Sequence, residues 1–248
     1  MYPFILTTFA GLATLIGVLP IFVKINDKNK LIGSACAFAS GVMVCVSVLD
    51  LIPESFRYLI GNYHCISLLI FVIISLLIGI MTSYFLEKIV DSVGSDNMLY
   101  KVGVLAMLVI IIHNIPEGIV TYVVSRKNIA LGIPICIAIA LHNVPEGISI
   151  AIPIYFATGN KFKAVIYTLI SAMSELLGAI ITSLFLTKYI NNLILGLILS
   201  FTAGIMLQIS INKLLPTSNS YCAENAKRYF IIGFIFMLIS LLINNVVA

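Results

Sequence analysis

The sequence predicts an all-α, polytopic membrane protein with eight transmembrane helices, and three observations support this prediction. Of its 248 residues, 61% are hydrophobic and 10% are charged, whereas about a quarter of a soluble domain is charged. The apolar residues form continuous runs of about 20, the length that crosses a hydrocarbon core about 30 Å thick. They do not alternate as barrel strands do. A soluble globule is therefore excluded, and the scattered net charge of +4 argues against a nucleic-acid partner.

Charged or turn-rich breaks divide the chain into eight apolar segments, which are the expected spans. They cover, approximately, residues 4–23, 31–53, 65–86, 102–124, 129–157, 162–187, 193–215 and 229–248. The first has no preceding basic region and no small-residue cleavage site, so we expect a span and not a removable signal. The spans leave little other length, so 1–248 is expected to be a single transmembrane domain.

The distribution of basic residues predicts the orientation of the spans, because cytoplasmic connections are enriched in Lys and Arg. Four basic residues fall on one side of the expected membrane, namely Arg57, Arg126, Lys127 and Lys188. The other ten fall on the opposite side, namely Lys24, Lys28, Lys30, Lys88, Lys101, Lys161, Lys163, Lys213, Lys227 and Arg228. Both termini are therefore predicted to lie outside.

Two pairs of segments resemble each other within the chain. HNIPEG at 113–118 in span 4 recurs as HNVPEG at 142–147 in span 5, and 41–55 in span 2 matches 204–218 in span 7 at several positions. Each pair lies in antiparallel spans, as expected for an inverted repeat about an axis in the membrane plane, which is typical of transporters. Chance similarity between apolar segments is the alternative for spans 2 and 7.

Acidic side chains are predicted at the depth where they are most costly. His113, His142 and Glu175 each lie about midway between the basic residues that flank their spans. A carboxylate near the bilayer centre costs roughly 2.5 to 3.5 kcal/mol on insertion scales, and Glu117 and Glu146 are close to the same depth. Cations or hydrogen bonds are therefore expected to compensate these acids.

Each hexapeptide places a histidine and a glutamate four residues apart, with an asparagine after the histidine, so the three side chains share one helical face. These side chains are His113, Asn114, Glu117, His142, Asn143 and Glu146. The proline in each hexapeptide frees the carbonyl group of Ile112 or Leu141 and is expected to kink the helix. Each helix thus offers a three-ligand cluster in a bent segment.

Imidazole nitrogen, carboxylate oxygen and amide oxygen together suit Zn²⁺, Fe²⁺, Mn²⁺ or Co²⁺. The lack of cysteine ligands favours a moderate affinity, which lets an ion leave again. Glu117 and Glu146 could bridge two adjacent ions, and Glu175 of span 6 could close the second site. The five cysteines form no CxxC pair and are interpreted as packing residues.

Other interpretations of these residues stay open. A single membrane histidine or proline kink can be purely structural, and His and Glu around zinc could instead activate water in an intramembrane zinc-dependent hydrolase. A proton-conducting or structural subunit is a third option. Asp50, Glu54 and Ser47 could form an access route or simply be solvated at a helix end. Packing is the expected role of Gln208, Ser210 and Asn212.

HNIPEG and HNVPEG in consecutive spans of an eight-span chain resemble the signature of the ZIP (Zrt/Irt-like) metal transporters, with bacterial zinc transporters of the ZupT type most similar. The resemblance extends to GVMVCVSVLDLIPES in span 2, SELLGA around Glu175 and AGIMLQIS in span 7. It implies a three plus two plus three helix arrangement, with spans 1 to 3 and 6 to 8 related by inversion. The match between spans 2 and 7 agrees with this arrangement.

The resemblance also implies uptake of divalent metal into the cytoplasm through a binuclear site in spans 4, 5 and 6. One metal would use Glu117, His142 and Glu146, with His113 nearby. The ligands implied for the other metal are Asn114, Glu117, Asn143, Glu146 and Glu175. The chain departs from the family in three places. It has no His between Glu87 and Lys101, it has Leu176 where Pro is usual, and it has Ile211-Asn212-Lys213 where relatives commonly carry acidic residues.

We therefore predict a transporter, not an enzyme, that imports zinc, with iron, manganese and cobalt as further candidates. Its expected location is the cytoplasmic (inner) cell membrane, as a multi-pass protein in contact with the lipid bilayer. No resident cofactor and no nucleic-acid partner are expected, and a homodimer is an open alternative to a monomer. Ions are expected to pass from an outer mouth near Asp50 and Glu54 to the central ligands.

Overall fold

The long apolar runs fold into helices, as the computed structural model of the chain shows for residues 1–24, 26–60, 64–92 and 96–247. These described residues contain no strand. Their nine α-helices are α1 (Tyr2–Leu12), α2 (Lys28–Val46), α3 (Ile52–Leu59), α4 (Cys65–Ser92), α5 (Met98–Lys127), α6 (Ile129–Thr158), α7 (Lys161–Ile181), α8 (Asn192–Ile209) and α9 (Leu215–Val247). The all-α prediction is confirmed for this part of the chain.

Three of these helices continue through a short π-helical segment, and α1 continues as a 3₁₀ helix. The 3₁₀ segment is Ala13–Phe22, and the π segments are Ser47–Leu51 after α2, Thr182–Leu186 after α7 and Ser210–Leu214 after α8. A π turn leaves one residue out of the regular hydrogen-bond ladder and often lies at a functional position. Two of these segments carry the charged residues Asp50 and Lys213.

Short polar side chains fix where most of the long helices begin. Each accepts a hydrogen bond from a backbone N–H in the first helical turn, which satisfies a donor that has no partner within the helix. The capping residues are Asp27, Asn97, Asn128, Asn160 and Asn191. The turn between α6 and α7 also contains Gly159, whose φ of 68° suits glycine best.

Glycines let the helix backbones come close together. A Cβ on Gly41 of α2 would overlap the carbonyl oxygen of Phe230 in α9, and one on Gly204 of α8 would overlap that of Leu76 in α4. Such contacts between small residues and backbone drive helix association in lipid, where apolar burial alone gives little advantage. The result is two tightly packed pairs, α2 with α9 and α4 with α8.

Serine hydroxyl groups add interhelical hydrogen bonds to this packing. Ser55 of α3 donates to the carbonyl of Gly196 at 2.8 Å, and Ser75 of α4 donates to the carbonyl of Leu197 at 2.7 Å. Both acceptors lie at the start of α8. The C-terminal end of the α2–α3 segment and the N-terminal end of α8 therefore lie at the same end of the bundle.

Seven helical stretches in the described residues are long and apolar enough to cross a membrane. The last of them, Asn192–Ile243, has 52 residues, and its backbone leaves the helical region at Cys222, where φ is −157° and ψ is 68°. The prediction of a polytopic helical membrane protein is thus supported, whereas the count of eight spans is not established by this finding.

Candidate metal centre

The side chains predicted to bind metal lie on three helices that pack against each other. His113, Asn114 and Glu117 are on α5, their counterparts are on α6, and Glu175 is on α7. All seven predicted site residues are buried, none being more than 3% exposed. Pro116 and Pro145 lie inside continuous helices, so the expected kinks stay a prediction.

Imidazole and carboxylate groups pair across the two helices, not within them. His113 Nε2 lies 2.8 Å from Glu146 Oε1, and His142 Nε2 lies 3.3 Å from Glu117 Oε1. The first contact has hydrogen-bond geometry; in the second both atoms are close but lack a well-directed hydrogen bond. Each glutamate therefore faces the histidine of the other helix, which joins the two hexapeptides into one polar centre.

Both asparagine amides are anchored on the backbone of flanking helices. Asn114 Nδ2 donates to the carbonyl of Ser171 in α7 at 3.3 Å, and Asn143 Nδ2 donates to the carbonyl of Ala10 in α1 at 2.9 Å. Because a carbonyl oxygen only accepts hydrogen bonds, these contacts fix which end of each amide faces the backbone. The two amide oxygens are left as acceptors inside the bundle.

Glu175 joins this centre through Asn143. Its Oε2 accepts a hydrogen bond from Asn143 Nδ2 at 2.9 Å. A glycine brings the backbone of α7 close enough for this contact, because a Cβ on Gly118 would overlap the carbonyl oxygen of Glu175. The reverse contact places Gly178 of α7 against the carbonyl of Ile115 in α5. The position of Glu175 is therefore set by two close backbone contacts.

Several potential ligand atoms in this centre have no hydrogen-bond partner within the described residues. They are Asn114 Oδ1, both Glu117 oxygens, His113 Nδ1, both His142 ring nitrogens, Asn143 Oδ1, Glu146 Oε2 and Glu175 Oε1. An unsatisfied buried polar group costs about 1 to 3 kcal/mol, and more when it is charged. The Lys and Arg ion pairs of the described residues are made with Glu54, Glu87 and Asp91, which all lie outside this centre. Binding of a cation would satisfy the unpartnered atoms of the centre.

The two His–Glu pairs do not by themselves form a complete coordination shell for a metal ion. In the described residues, no three side chains of His, Cys, Asp and Glu converge closely enough to hold one ion. Zinc takes nitrogen and oxygen ligands at about 2.0 to 2.2 Å, so two ligands of one tetrahedral ion lie about 3.3 to 3.6 Å apart. The His113–Glu146 contact of 2.8 Å is shorter than this, whereas the His142–Glu117 distance of 3.3 Å is compatible with it. An ion shared by His113 and Glu146 must therefore separate these two groups.

A cavity of about 240 Å³ connects this centre with one end of the bundle. It is lined by Glu117 and His142 of the centre and by Asp50 and Glu54 of the α2–α3 segment, together with apolar side chains of α6 and α8. Arg57 also lines it and pairs with Glu54 at 3.0 Å. The two acids that the sequence suggested for an access route thus face the same cavity as two predicted ligands.

Sequence reasoning missed the contribution of α1. Its Ala10 carbonyl orients Asn143, and a Cβ on its Gly11 would contact the Glu175 side chain. Ser171, whose carbonyl orients Asn114, was missed as well. The available signal was the spacing of small residues, since Ala10–Gly11 and Ser171–Ala172 are neighbouring small pairs in spans 1 and 6. Backbone acceptors carry no side-chain signature, so a motif search passes over them.

Comparison with known proteins gives the relatives of this chain. The profile of the family described as "ZIP Zinc transporter" matches residues 97–241. "Zinc transporter ZupT" of Clostridium perfringens (strain 13 / Type A) is 35% identical, covering 97% of this chain and 95% of the relative. "Zinc transporter ZupT" of Streptococcus mutans serotype c is also 35% identical, with coverage of 97% and 96%. The chain belongs to the ZIP zinc transporter family.

Membership of the ZIP family confirms the resemblance noted in the two hexapeptides. Because this is a family of membrane transporters, the prediction that the chain is not an enzyme is confirmed as well. The matched region, residues 97–241, contains all seven predicted ligands. Their assignment to individual metal ions stays a prediction.

Proposed function

We propose that the chain imports zinc into the cytoplasm through a binuclear site formed by α5, α6 and α7. The observation that carries this proposal is the set of buried nitrogen and oxygen atoms without hydrogen-bond partners at the meeting point of these helices. All are atom types that bind zinc or other divalent ions of the first transition row. The similarity to proteins named zinc transporters makes zinc the first candidate.

The proposed site holds two ions that share ligands. One ion is bound by Glu117, His142 and Glu146, with His113 nearby. The other is bound by the set Asn114, Glu117, Asn143, Glu146 and Glu175. The crossed His–Glu contacts support this arrangement, because they bring each shared glutamate next to a ligand of the opposite helix. Iron, manganese and cobalt fit the same donor set and are proposed as secondary substrates.

Ions reach this site through the 240 Å³ cavity lined by Asp50, Glu54, Glu117 and His142, here named the Asp50 cavity. Two acids at its mouth attract a dication, and its inner wall already contains Glu117 and His142. Each carboxylate replaces part of the hydration shell, so dehydration proceeds in steps and no bare ion has to cross apolar surface. Because the mouth of this cavity faces outward in the proposed orientation, ions that enter it move toward the cytoplasm.

We propose eight spans, because a continuous 52-residue helix would be about 78 Å long, far more than one hydrocarbon core requires. The non-helical backbone at Cys222 supports dividing Asn192–Ile243 into two spans at that residue. With both termini outside, the four basic residues of the less basic side face outward and the other ten face the cytoplasm across the inner membrane.

The inverted repeat is supported by matching close contacts in the two halves. The Gly41–Phe230 contact of α2 with α9 corresponds to the Gly204–Leu76 contact of α8 with α4. In the central part, Gly118 against Glu175 corresponds to Gly147 against Thr14. The two π segments Ser47–Leu51 and Ser210–Leu214 also occupy matching positions of the repeated sequence. We propose a three plus two plus three arrangement on this basis.

Lipid is the proposed surrounding of the outer helices. The apolar stretch of α4 is only 22% buried within the chain, so its exposed side chains are suited to contact acyl chains. Formation of a homodimer stays a prediction. Light scattering of the purified chain, corrected for bound detergent, distinguishes one copy from two.

Transport by the purified chain in sealed liposomes tests the proposed function. Zinc should accumulate inside, and Glu117→Ala or Glu146→Ala should abolish accumulation because each removes a shared ligand. Glu224→Ala is the matched control, since Glu224 is exposed on α9 and distant in sequence from the site. Cleavage of lipid or peptide without zinc flux would contradict transport and support the hydrolase alternative.

A further inference from the structure

The end of the bundle opposite the Asp50 cavity contains a second cavity, of about 210 Å³. Its polar lining consists of Asp91, Asp96, Lys101 and Lys213. Leu105 of α5 also lines it and lies eight residues before His113, which corresponds to about 12 Å along a helix. The Asp50 cavity touches Glu117 of the same helix. Helix α5 therefore borders one cavity on each side of the metal centre.

Glu87 contacts the cavity-lining residue Lys213, and neighbouring donors fully occupy its carboxylate. Lys213 Nζ lies 2.6 Å from Glu87 Oε1, and Gln208 Nε2 donates to Glu87 Oε2 at 3.0 Å. Ser83 in turn donates to Gln208 Oε1 at 2.5 Å. The charged side chains are only 22% and 17% exposed, so water screens their attraction less than at an open surface. Glu87 has both oxygens engaged.

Lys213 occupies the position that corresponds to Asp50 in the internal repeat. Asp50 is the fourth residue of the π segment Ser47–Leu51, and Lys213 is the fourth residue of Ser210–Leu214. Both residues line a cavity, at opposite ends of the bundle. One cavity therefore has a carboxylate at this position, and the other has an ammonium group that already neutralises an acid.

We propose that Lys213 is a tethered counter-ion that blocks a divalent-cation site centred on Glu87. The proposal deepens the proposed function, since it describes the exit side of the same route. The ammonium group takes the place of a metal ion on Glu87, and Lys101 similarly lies 3.8 Å from Asp91. An ion that leaves the centre thus meets no unpaired Glu87 carboxylate that would hold it, which favours rapid release.

Zinc binding to the purified full-length chain in detergent, measured by equilibrium dialysis, tests this proposal. Lys213→Met keeps the length of the side chain but removes its charge, and it should add one bound zinc per chain relative to the unmodified protein. Adding Glu87→Gln to this variant should abolish the additional binding. Lys213→Arg and Lys88→Met are the controls, because the first keeps the charge and the second removes an exposed lysine of the same end.

The proposal is overturned if Lys213→Met binds no more zinc than the unmodified chain, or if the additional zinc persists with Glu87→Gln. A separate variant is informative even if Lys213→Met does not fold. Glu87→Gln alone should leave the zinc stoichiometry unchanged, and loss of a bound zinc would show that Glu87 holds metal despite Lys213. Failure of the proposed function would be seen in a separate experiment, in which the unmodified chain takes up no zinc into liposomes.

Discussion

The contact of Gly118 with the α7 backbone makes the candidate metal centre sensitive to a single methyl group. In Gly118→Ala the new Cβ meets the carbonyl oxygen of Glu175. Because this neighbour is backbone, no side-chain rotation can relieve the overlap, and the helices must separate by about 1 Å to restore van der Waals distance. Glu175 would then move away from Asn143 and from the proposed second ion.

The magnitude follows from two opposing effects. Overpacking a closely packed contact costs about 1 to 3 kcal/mol, whereas Gly→Ala in a helix gains about 1 kcal/mol. We expect Gly118→Ala to lie near the upper end of the cost, for a net loss of about 2 kcal/mol in stability. Since metal–ligand distances tolerate only about 0.2 Å, zinc uptake should fall by about 10- to 100-fold, the usual range for disturbing groups that orient ligands.

Gly103→Ala is the matched control, because it lies on the same helix and gains the same helix propensity. Its Cβ meets Cδ1 and Cγ1 of the Ile154 side chain at 2.8 Å and the backbone nitrogen of Ile154 at 3.1 Å. Because the closest atoms belong to a side chain, we expect stability within about 1 kcal/mol of the unmodified chain. Uptake is measured in liposomes with equal protein, and stability is measured as the monodisperse fraction after heating. Normal uptake by Gly118→Ala, or equal loss in Gly103→Ala, would refute the reasoning.

Two other variants and one labelling experiment test the access route, the packing and the orientation. Asp50→Asn should raise the zinc concentration for half-maximal uptake while the maximal rate is retained, because it weakens attraction at the cavity mouth; an unchanged concentration dependence contradicts the route. Ser55→Ala should destabilise the chain by about 1 kcal/mol, since it removes the bond to Gly196, and an unaltered melting temperature argues against that bond. A membrane-impermeant maleimide should label the exposed Cys65 in whole cells, with Cys65→Ser as control, and labelling only after lysis reverses the proposed orientation.

The sequence predicted the helices well because apolar length is a strong signal in a membrane protein. Span 5 was expected at about 129–157 and is observed at Ile129–Thr158. Span 4 was expected at about 102–124 but is longer, Met98–Lys127, because Asn97 caps it before the apolar run begins. The 3₁₀ and π segments were not predicted, since they depend on local hydrogen-bond registry that a hydropathy pattern does not report.

The sequence also identified the polar centre, since acids and histidines at mid-depth are rare unless they function there. It could not show how these groups pair. The spacing of His113 and Glu117 suggested a cluster on each helix, whereas the closest contacts cross to Glu146 and His142. The Glu87–Lys213 pair likewise joins α4 to the segment after α8, and such distant pairing is fixed by the packing of helices, not by local sequence.

The anchoring of the two asparagines determines what chemistry these positions can accept. A neighbouring backbone carbonyl takes a hydrogen bond from Asn114, and another does so from Asn143. An aspartate in either place would point one anionic oxygen at that carbonyl and meet repulsion. In the proposed site, the backbone therefore favours neutral amide oxygens at these two positions, beside the three glutamates. Each amide adds a ligand without adding negative charge, which keeps the attraction on the bound ion weak enough for release.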